Sequence, residues 1–261
     1  MVLRRALRGS CVLAVLALAG CTLPRPSRPP AAEGVTAERL LSGLDARRQQ
    51  YTTLRARARL KAGLAGLWTR QVVLVQRPGE VRMDVMSPFG LALAVGTQND
   101  VLWAYSPSNE ARYEGEASPL NLSRFLGAPV SVSDLIDLLF GLPPQRTATA
   151  PPTLGRSSDG ALLLSVAFDG GTQQLWFDPA TLELRRAEER RGDAVALTAE
   201  FGDYQSGFPH SLDVASPTTG SSAKLAYDAV EPNVPLDATL FAPPPAAHVL
   251  PLPAAPTPAQ G

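Results

Sequence analysis

The sequence predicts a mainly β protein with a few short helices, organised around one curved antiparallel sheet. About twelve runs of strand-forming residues follow one another at regular spacing, and short turns rich in Gly, Pro, Asn and Asp separate them. Hydrophobic residues make up 45% of the 261 residues, which is near the globular average and sufficient for a core. These observations favour one folded domain with an extension at each end.

The first half of the domain is predicted to begin with a helix and continue as six strands. Thr36 has the residue type of an N-cap, and the leucine spacing after it predicts a helix to about Tyr51. The period then changes to two, and Ala56–Lys61 alternate apolar and basic residues. Val81–Val85 alternate in the same way and form the clearest half-buried strand. The other strands predicted here are Trp68–Gln76, Leu91–Thr97, Val101–Tyr105 and Ala111–Gly115.

Two short helices are predicted to interrupt the sheet before six further strands. Ser118-Pro119 predicts the start of a helix over Leu120–Leu126, and Ser131 or Ser133 predicts the cap of a helix over Asp134–Phe140. The later strands are Leu162–Phe168, Thr172–Phe177, Leu182–Arg190, Ala194–Tyr204, Pro209–Ala215 and Ala223–Val230.

Two segments lack strand or helix patterns. Residues 145–160 are polar and contain proline, which predicts a surface connection. Residues 243–261 contain seven prolines in 19 positions, so this Pro/Ala-rich tail is predicted to be disordered.

The N-terminus has the pattern of an export signal. Three arginines precede the apolar stretch Cys11–Ala19, which is too short to span a bilayer. The segment Leu18-Ala19-Gly20-Cys21 resembles the bacterial lipobox, in which the cysteine thiol receives diacylglycerol. Residues 1–20 are therefore predicted to be a lipoprotein signal peptide, Cys21 the lipidated residue and residues 21–34 a Pro-rich tether. The alternative is an ordinary signal peptide, or a short buried helix, that happens to contain a cysteine.

A lipidated Cys21 predicts the location of the protein. Each buried acyl methylene contributes about 0.8 kcal/mol, so an anchor of several chains holds a protein permanently. Thr22 follows the cysteine, whereas aspartate at this place marks inner-membrane retention in enteric bacteria. The sequence therefore favours a lipid-anchored protein of the outer membrane that faces the periplasm.

Charge and residue content exclude several classes of function. Lys plus Arg equals Asp plus Glu at 24 each, and loss of the three arginines of the signal peptide leaves 21 basic against 24 acidic residues. Without a basic excess, nucleic-acid binding is not expected. Two Cys and two His are too few for a zinc site of several ligands or a disulfide framework.

The sequence also offers little catalytic chemistry. It contains no Gly-x-Ser-x-Gly elbow and no phosphate-binding glycine loop. Ser221–Lys224 match Ser-x-x-Lys only formally, because the companion motifs of penicillin-recognising enzymes are missing. Glu188 and Glu189 are not expected to act as a catalytic pair, because neighbours on a strand point to opposite faces. Asp134 and Asp137 are interpreted as surface carboxylates, since a pair spaced by three on an amphipathic helix usually faces solvent. The protein is not expected to be an enzyme.

The inner face of the predicted sheet is unusually apolar and is covered by apolar helices. Such residues usually fill a core, but they can also enclose a cavity for a hydrophobic ligand. Periodicity alone leaves both interpretations open.

Two stretches resemble the LolB family of outer-membrane lipoprotein receptors, within the LolA/LolB superfamily. Val81–Val95 resemble the third and fourth strands of that family with their joining loop. Asn121–Pro143, which end in Leu139-Phe140-Gly141-Leu142-Pro143, resemble its paired helices. The resemblance covers about residues 36 to 230, so residues 35–242 are predicted to be one LolA/LolB-like half-barrel domain.

The resemblance implies a fold, a function and partners. The fold is an incomplete antiparallel β-barrel of about eleven strands, with a helical lid over an apolar cavity. The function is to accept acyl chains of lipoproteins from a LolA-like periplasmic carrier and to insert them into the outer membrane. Expected partners are this carrier, acylated lipoproteins and outer-membrane lipids. The chain is expected to act as a monomer, with no metal and no cofactor besides the diacylglycerol and N-acyl chain on Cys21.

The resemblance also implies site residues. The protruding apolar residue of the family corresponds to Phe89, between Pro88 and Gly90. Packing of Phe89 back onto the core is the alternative. The residues expected to line the acyl-chain cavity are Val81, Met83, Val85, Leu93, Val95 and Trp103.

Two features depart from the family pattern, namely the Pro-rich tail and residues 145–160. Two other functions therefore remain as alternatives. One is a scaffolding envelope lipoprotein with a filled core, and the other is a lipid hydrolase.

Overall fold

The computed structural model describes residues 34–62, 66–126 and 129–252. The predicted signal peptide, Cys21 and nearly all of the tether lie outside the described residues. No helix in the described ranges combines the length and the apolar character needed to cross a membrane.

The strands in the described part of the chain form a single open sheet of fourteen strands. Neighbouring strands are antiparallel, except that the last strand pairs in parallel with β6 at one edge. The strand order across the sheet is β14-β6-β5-β4-β3-β2-β1-β13-β12-β11-β10-β9-β8-β7. The strands are β1 (Thr53–Ala62), β2 (Trp68–Gln76), β3 (Glu80–Ser87), β4 (Gly90–Gln98), β5 (Val101–Ser106), β6 (Ala111–Glu116), β7 (Thr153–Arg156), β8 (Leu162–Phe168), β9 (Gly171–Phe177), β10 (Leu184–Arg191), β11 (Ala194–Gly202), β12 (Ser211–Ser216), β13 (Ser221–Pro232) and β14 (His248–Pro251).

The predicted fold class is confirmed, since the sheet is open, antiparallel in its body and accompanied by helices. All twelve predicted strands are present with small shifts of their ends. Two further strands were not predicted. β7 lies in the polar segment 145–160 and has only four residues, which is too short to show an alternating pattern. β14 lies in the Pro-rich tail, so residues 248–251 are ordered against the sheet rather than disordered as expected.

Three α-helices are present in the described residues, namely α1 (Ala37–Gln50), α2 (Pro119–Leu126) and α3 (Val132–Leu139). Both predicted caps form as hydrogen bonds. Thr36 Oγ1 accepts from the Arg39 amide at 3.2 Å, and Ser131 Oγ accepts from the Asp134 amide at 3.1 Å. Side chains of this type satisfy amides that the first helical turn leaves without partners.

The main core lies between the helices and one face of the sheet, called here the inner face, which carries Ala56, Val73 and Met83. Aromatic rings close one side of this core. Tyr51 stacks on Phe140 with ring centroids 5.9 Å apart. The Tyr227 hydroxyl donates to the Leu139 carbonyl at 2.8 Å, which joins the sheet to the end of α3. Burial in this core raises the pKa of Tyr227, so its hydroxyl remains a hydrogen-bond donor.

A smaller core lies on the opposite, outer face of the sheet. The Trp103 indole donates to the Phe241 carbonyl at 3.1 Å, and both side chains are fully buried. Phe241 belongs to a 3-10 turn over Ala238–Phe241. Gly96 lies opposite Trp103 on the neighbouring strand, and a Cβ there would collide with the indole ring. The segment after β13 therefore folds back over the outer face and leads into β14.

Candidate functional site

The β3–β4 turn presents a phenylalanine to solvent. Phe89 is 99% exposed, so the alternative in which it packs onto the core is wrong. Ser87 holds the turn, because its hydroxyl accepts from the Phe89 amide at 3.2 Å and donates to the Gly90 carbonyl at 3.0 Å. Gly90 has φ +112°, a conformation that residues with a Cβ rarely adopt. The turn is thus built by local contacts that do not use the phenylalanine ring.

An apolar cavity lies beneath the lid helices in the half of the inner face nearest this turn. Leu60 lies two residues before the end of β1, and Val214 pairs with Ala223 beside the β12–β13 turn. The β1–β2, β3–β4 and β12–β13 turns lie at the same end of the antiparallel sheet, called here the tip end. The cavity lining is entirely aliphatic or methionine and consists of Leu60, Met83, Leu126, Val130, Leu135, Leu138, Leu139, Leu212, Val214, Ala223 and Leu225.

The cavity is small in this structure. Its volume is about 50 Å³, whereas pockets that enclose drug-sized ligands measure about 300–1,000 Å³. An acyl chain therefore requires the lid helices to move away from the sheet. α2 buries only Leu122, while α3 buries five residues, so α2 loses the least contact when it moves.

The strand register places five of the six predicted cavity residues on the inner face. Val85 pairs with Leu93 and Met83 pairs with Val95, so these side chains share a face. Met83 lines the cavity, Val81 is buried in the adjoining core, and the other three are half-buried toward the tip end.

The expectation that Trp103 lines the cavity is wrong. Trp103 pairs with Gly96, which pairs with Arg82 on the outer face. The indole is therefore directed away from the lid and into the small outer core. Side chains alternate between faces along a strand, so an assignment shifted by one residue reverses the face.

Sequence reasoning missed most of the cavity wall. Leu126, Leu135 and Leu139 come from the lid helices, and Leu212 and Leu225 come from strands on the far side of β1. The sequence did contain a signal for the wall residues on the helices, because the predicted helices are amphipathic. The pairing of β1 with β13 joins distant parts of the chain and leaves no local signal.

A buried carboxylate fixes α3 over the inner face. Asp137 is 3% exposed and binds two arginines. Arg48 of α1 donates to Asp137 Oδ2 at 3.2 Å, and Arg77 of the β2–β3 turn donates to Oδ1 at 2.7 Å. The same arginines also bind the Pro143 and Tyr51 carbonyls at 2.8 and 3.0 Å. The interpretation of Asp137 as a solvent-facing carboxylate is therefore wrong, because the charged side of α3 faces two arginines rather than water.

The N-terminal turn of α3 has a second ionic contact. Arg146 donates to both Asp134 oxygens at 2.8 and 3.0 Å, and to Glu189 of β10 at 3.0 Å. Burial disfavours the charged guanidinium, but hydrogen bonds and charges of Asp134 and Glu189 outweigh it, and the pKa of Arg146 is raised. Asp134 and Glu189 thus have a structural role, and the interpretation of Asp134 as a solvent-facing carboxylate is also wrong.

One polar atom on the inner face has no partner among the described residues. Gln71 is 3% exposed, and its amide donates to Thr69 Oγ1 at 2.8 Å, but its Oε1 accepts no hydrogen bond. A buried acceptor without a donor costs about 1–3 kcal/mol. Gln71 shares its face with Val85, near the tip end, where a ligand amide or hydroxyl would satisfy it.

A second cleft lies at the other end of the sheet. It measures about 420 Å³ and lies between α1 and the ends of β9 and β10. Its wall mixes Arg39 and Arg47 with Leu40 and Leu182. This polar and open cleft is less suited to acyl chains than the aliphatic cavity.

The groups considered for catalysis do not come together. Within residues 34–62, 66–126 and 129–252, no three His, Cys, Asp or Glu side chains gather as metal ligands. Lys224 of the formal Ser-x-x-Lys match is exposed and bonded to Asp213. That hydrogen bond raises the pKa of Lys224, which keeps the amine protonated and unable to act as a base.

The same arrangement of strands and helices occurs in solved structures at low sequence identity. A protein domain from Vibrio parahaemolyticus, provisionally assigned to outer membrane lipoprotein sorting, superposes with a TM-score of 0.53 at 16% identity, over 79% of this chain and 97% of that chain. A LolA superfamily protein from Nitrosomonas europaea superposes with a TM-score of 0.52 at 18% identity, over 80% and 98%. The chain shares its fold with these two structures.

A third solved structure with this fold is a DUF1329 family protein from Desulfovibrio piger, with a TM-score of 0.54 at 14% identity, over 79% of this chain and 95% of that chain. No family model and no curated protein matches the sequence. The comparisons thus show a shared fold alone, while the likeness to LolB receptors rests on the sequence motifs.

The ion pairs of Asp137 give a stability prediction. Asp137→Asn is expected to lower the free energy of unfolding by about 3–5 kcal/mol, because it leaves two partly buried guanidinium groups without their counter-charge. Asp45→Asn is the matched control, since Asp45 binds the same Arg48 at 3.0 Å but its side chain is 56% exposed. The control should lose at most about 1 kcal/mol. Denaturant unfolding measures both, and equal losses would show that burial of Asp137 is unimportant.

Proposed function

We propose that this chain is an outer-membrane-anchored lipoprotein that binds the acyl chains of other lipoproteins and helps to insert them into the outer membrane. The observation that carries the proposal is the position of the exposed Phe89, at the same end of the sheet as the aliphatic cavity. Met83 on β3 lines the cavity and Phe89 lies in the turn that follows this strand, which provides a short apolar route between a binding site and a bilayer.

Free energy explains why such a route is needed. Exposing three acyl chains to water would cost tens of kcal/mol at about 0.8 kcal/mol per methylene. That exceeds the ceiling of about 20 kcal/mol for non-covalent affinity, so no carrier can overcome it by tight binding alone. The chains must pass between apolar surfaces that touch. Leucine and methionine side chains such as Met83 can adapt to chains of different shape without fixed polar contacts.

Anchoring at Cys21 would keep the domain close to the membrane. Residues 21–33 precede the described part of the chain, and thirteen residues span at most about 45 Å when extended. The start of the described domain would therefore remain within about 45 Å of the bilayer. The proposed location is the outer membrane, with the domain in the periplasm and a LolA-like carrier as the donor of cargo.

The anchor predicts the effect of Cys21→Ser. The variant should lack the mass of the acyl chains and should be recovered in the soluble fraction after a high-salt wash that removes reversibly bound protein from membranes, because Cys21 is the proposed permanent anchor. Fractionation with mass spectrometry of the intact chain provides the measurement. An unlipidated variant that stays in the outer-membrane fraction after this wash would refute the anchor.

The exposed turn predicts a selective defect for Phe89→Glu. A carboxylate in hydrocarbon costs about 2.5–3.5 kcal/mol, so delivery of cargo into vesicles should slow by about tenfold or more. Acceptance of cargo from the carrier should be unchanged, because the ring touches no part of the cavity. Val249→Glu on β14 is the matched control, since Val249 is 52% exposed at the sheet edge. An equal loss of acceptance and delivery would make Phe89 a packing residue.

The cavity predicts the effect of Ala223→Leu. The larger side chain would occupy the cavity between Leu60 and Val214 and should weaken displacement of a fluorescent fatty acid by about tenfold. Ala226→Leu, on the same strand but on the outer face, should leave the affinity within about twofold. If the parent chain binds no fatty acid and co-purifies with no lipid, the scaffolding function replaces this one.

A further inference from the structure

A second exposed apolar segment lies beside the Phe89 turn. Leu67 is 74% exposed and Trp68 is 49% exposed, where the chain enters β2. β2 and β3 are neighbours, and Arg70 pairs with Met86, which is 38% exposed. The start of β2 and the β3–β4 turn therefore lie side by side at the tip end.

These side chains form a cluster of exposed apolar surface. Among the described residues nine large apolar side chains are exposed, and four of them are Leu67, Trp68, Met86 and Phe89. A cluster of this kind marks an interaction site, since single exposed apolar residues are common but grouped ones are not. Tryptophan in particular favours the boundary between hydrocarbon and headgroups, where its ring is buried and its N–H is hydrated.

A group of cations stands immediately behind this apolar surface. Arg57, Arg59 and Lys61 alternate along the outer face of β1, and Arg70 pairs with Arg59 from β2. Lys61 lies directly opposite Trp68, and the Arg59 guanidinium lies 5.8 Å from the Trp68 ring centre. At about 3.3 Å per residue, Lys61 and Arg59 stand about 3–10 Å behind the end of β1, which is the depth of a headgroup layer when the turns enter the hydrocarbon.

The charge of this group is only partly compensated. Arg59 binds Asp228 at 3.1 Å. In the part of the chain that the structure describes, no carboxylate lies within 4.0 Å of Arg57, Lys61 or Arg70. Without the three arginines of the predicted signal peptide the chain has 21 basic and 24 acidic residues, so these cations form a local basic surface on a protein with a small acidic excess.

We propose that the Phe89 turn, the start of β2 and the cations behind them form one docking face for an anionic lipid bilayer. Leu67, Trp68, Met86 and Phe89 enter the hydrocarbon boundary, while Lys61 and Arg70 bind anionic headgroups. This docking face rests on the proposed function, and it specifies which part of the protein contacts the membrane and which lipids it contacts. The docking face also fixes the orientation of the domain on the bilayer. Contacts at two neighbouring places define a plane, whereas a single phenylalanine does not.

The test uses the full chain bound to vesicles whose acyl chains carry bromine, a short-range quencher of tryptophan emission. The chain has three tryptophans, and Trp103 is fully buried. In vesicles of phosphatidylcholine with phosphatidylglycerol, emission should be quenched, and Trp68→Phe should remove most of that quenching. In phosphatidylcholine alone, quenching should be several-fold weaker. The readout reports insertion of the turn, so it is independent of whether Cys21 anchors the chain.

Charge variants test the basic part of the face. Each cation near an anionic surface contributes roughly fivefold in binding, so Lys61→Gln and Arg70→Gln together should raise several-fold the phosphatidylglycerol content needed for half-maximal quenching. The matched control is Arg156→Gln and Arg185→Gln, which removes the same charge from exposed positions away from the tip end. The control should behave as the parent chain does.

Several outcomes would overturn the docking face. They are emission that is not quenched, quenching that survives Trp68→Phe, equal quenching in neutral and anionic vesicles, and equal effects of the two charge variants. Failure here is distinguishable from failure of the proposed function. If Phe89→Glu slows delivery while Trp68 is not quenched, only the docking face is refuted. If Trp68 is quenched but the cavity binds no fatty acid, only the acyl-chain function is refuted.

Discussion

The ion pairs of Asp137 determine where the lid lies, and the state of the cavity depends on them. Contacts between leucines are not directional, so α3 could slide over the aliphatic inner face at little cost. The Asp137 carboxylate binds Arg48 of α1 and Arg77 of the β2–β3 turn, which places α3 relative to both. A buried ion pair adds little net stability, but a broken one is costly, so it favours one position of the helix over its neighbours.

The two helices of the lid, α2 and α3, have different physical roles at the closed cavity. α3 is held by charge at both ends of its polar side, whereas α2 is held by one buried leucine and carries the exposed Leu120. Widening a cavity of about 50 Å³ to the size of an acyl chain is thus easiest on the side of α2. α3 is firmly held and keeps the shape of the inner face. α2 is loosely held, and its movement makes space for an acyl chain.

Local patterns in the sequence predicted much of the fold but not the parts that depend on distant contacts. Alternating residues identified twelve strands, and Ser-Pro-Phe-Gly identified the turn that exposes Phe89. The face of Trp103 depends on its register with Gly96 and on cover from Phe241, far along the chain. Burial of Asp137 depends on two arginines from other elements. Neither arrangement leaves a periodic signal. The resemblance in turn located Phe89 but not the neighbouring Trp68.

The parallel pairing of β14 with β6 has a consequence for how the chain reaches its native state. Chains emerge from the ribosome or an export channel with the N-terminal part first, and β6 then forms a sheet edge whose amides and carbonyls stay unsatisfied. β14, which follows the other thirteen described strands along the chain, covers that edge. Until then the half-finished domain exposes a template to which other nascent strands adhere. Truncations near the C-terminus would accordingly favour aggregation, even though they remove none of the lid or the cavity wall.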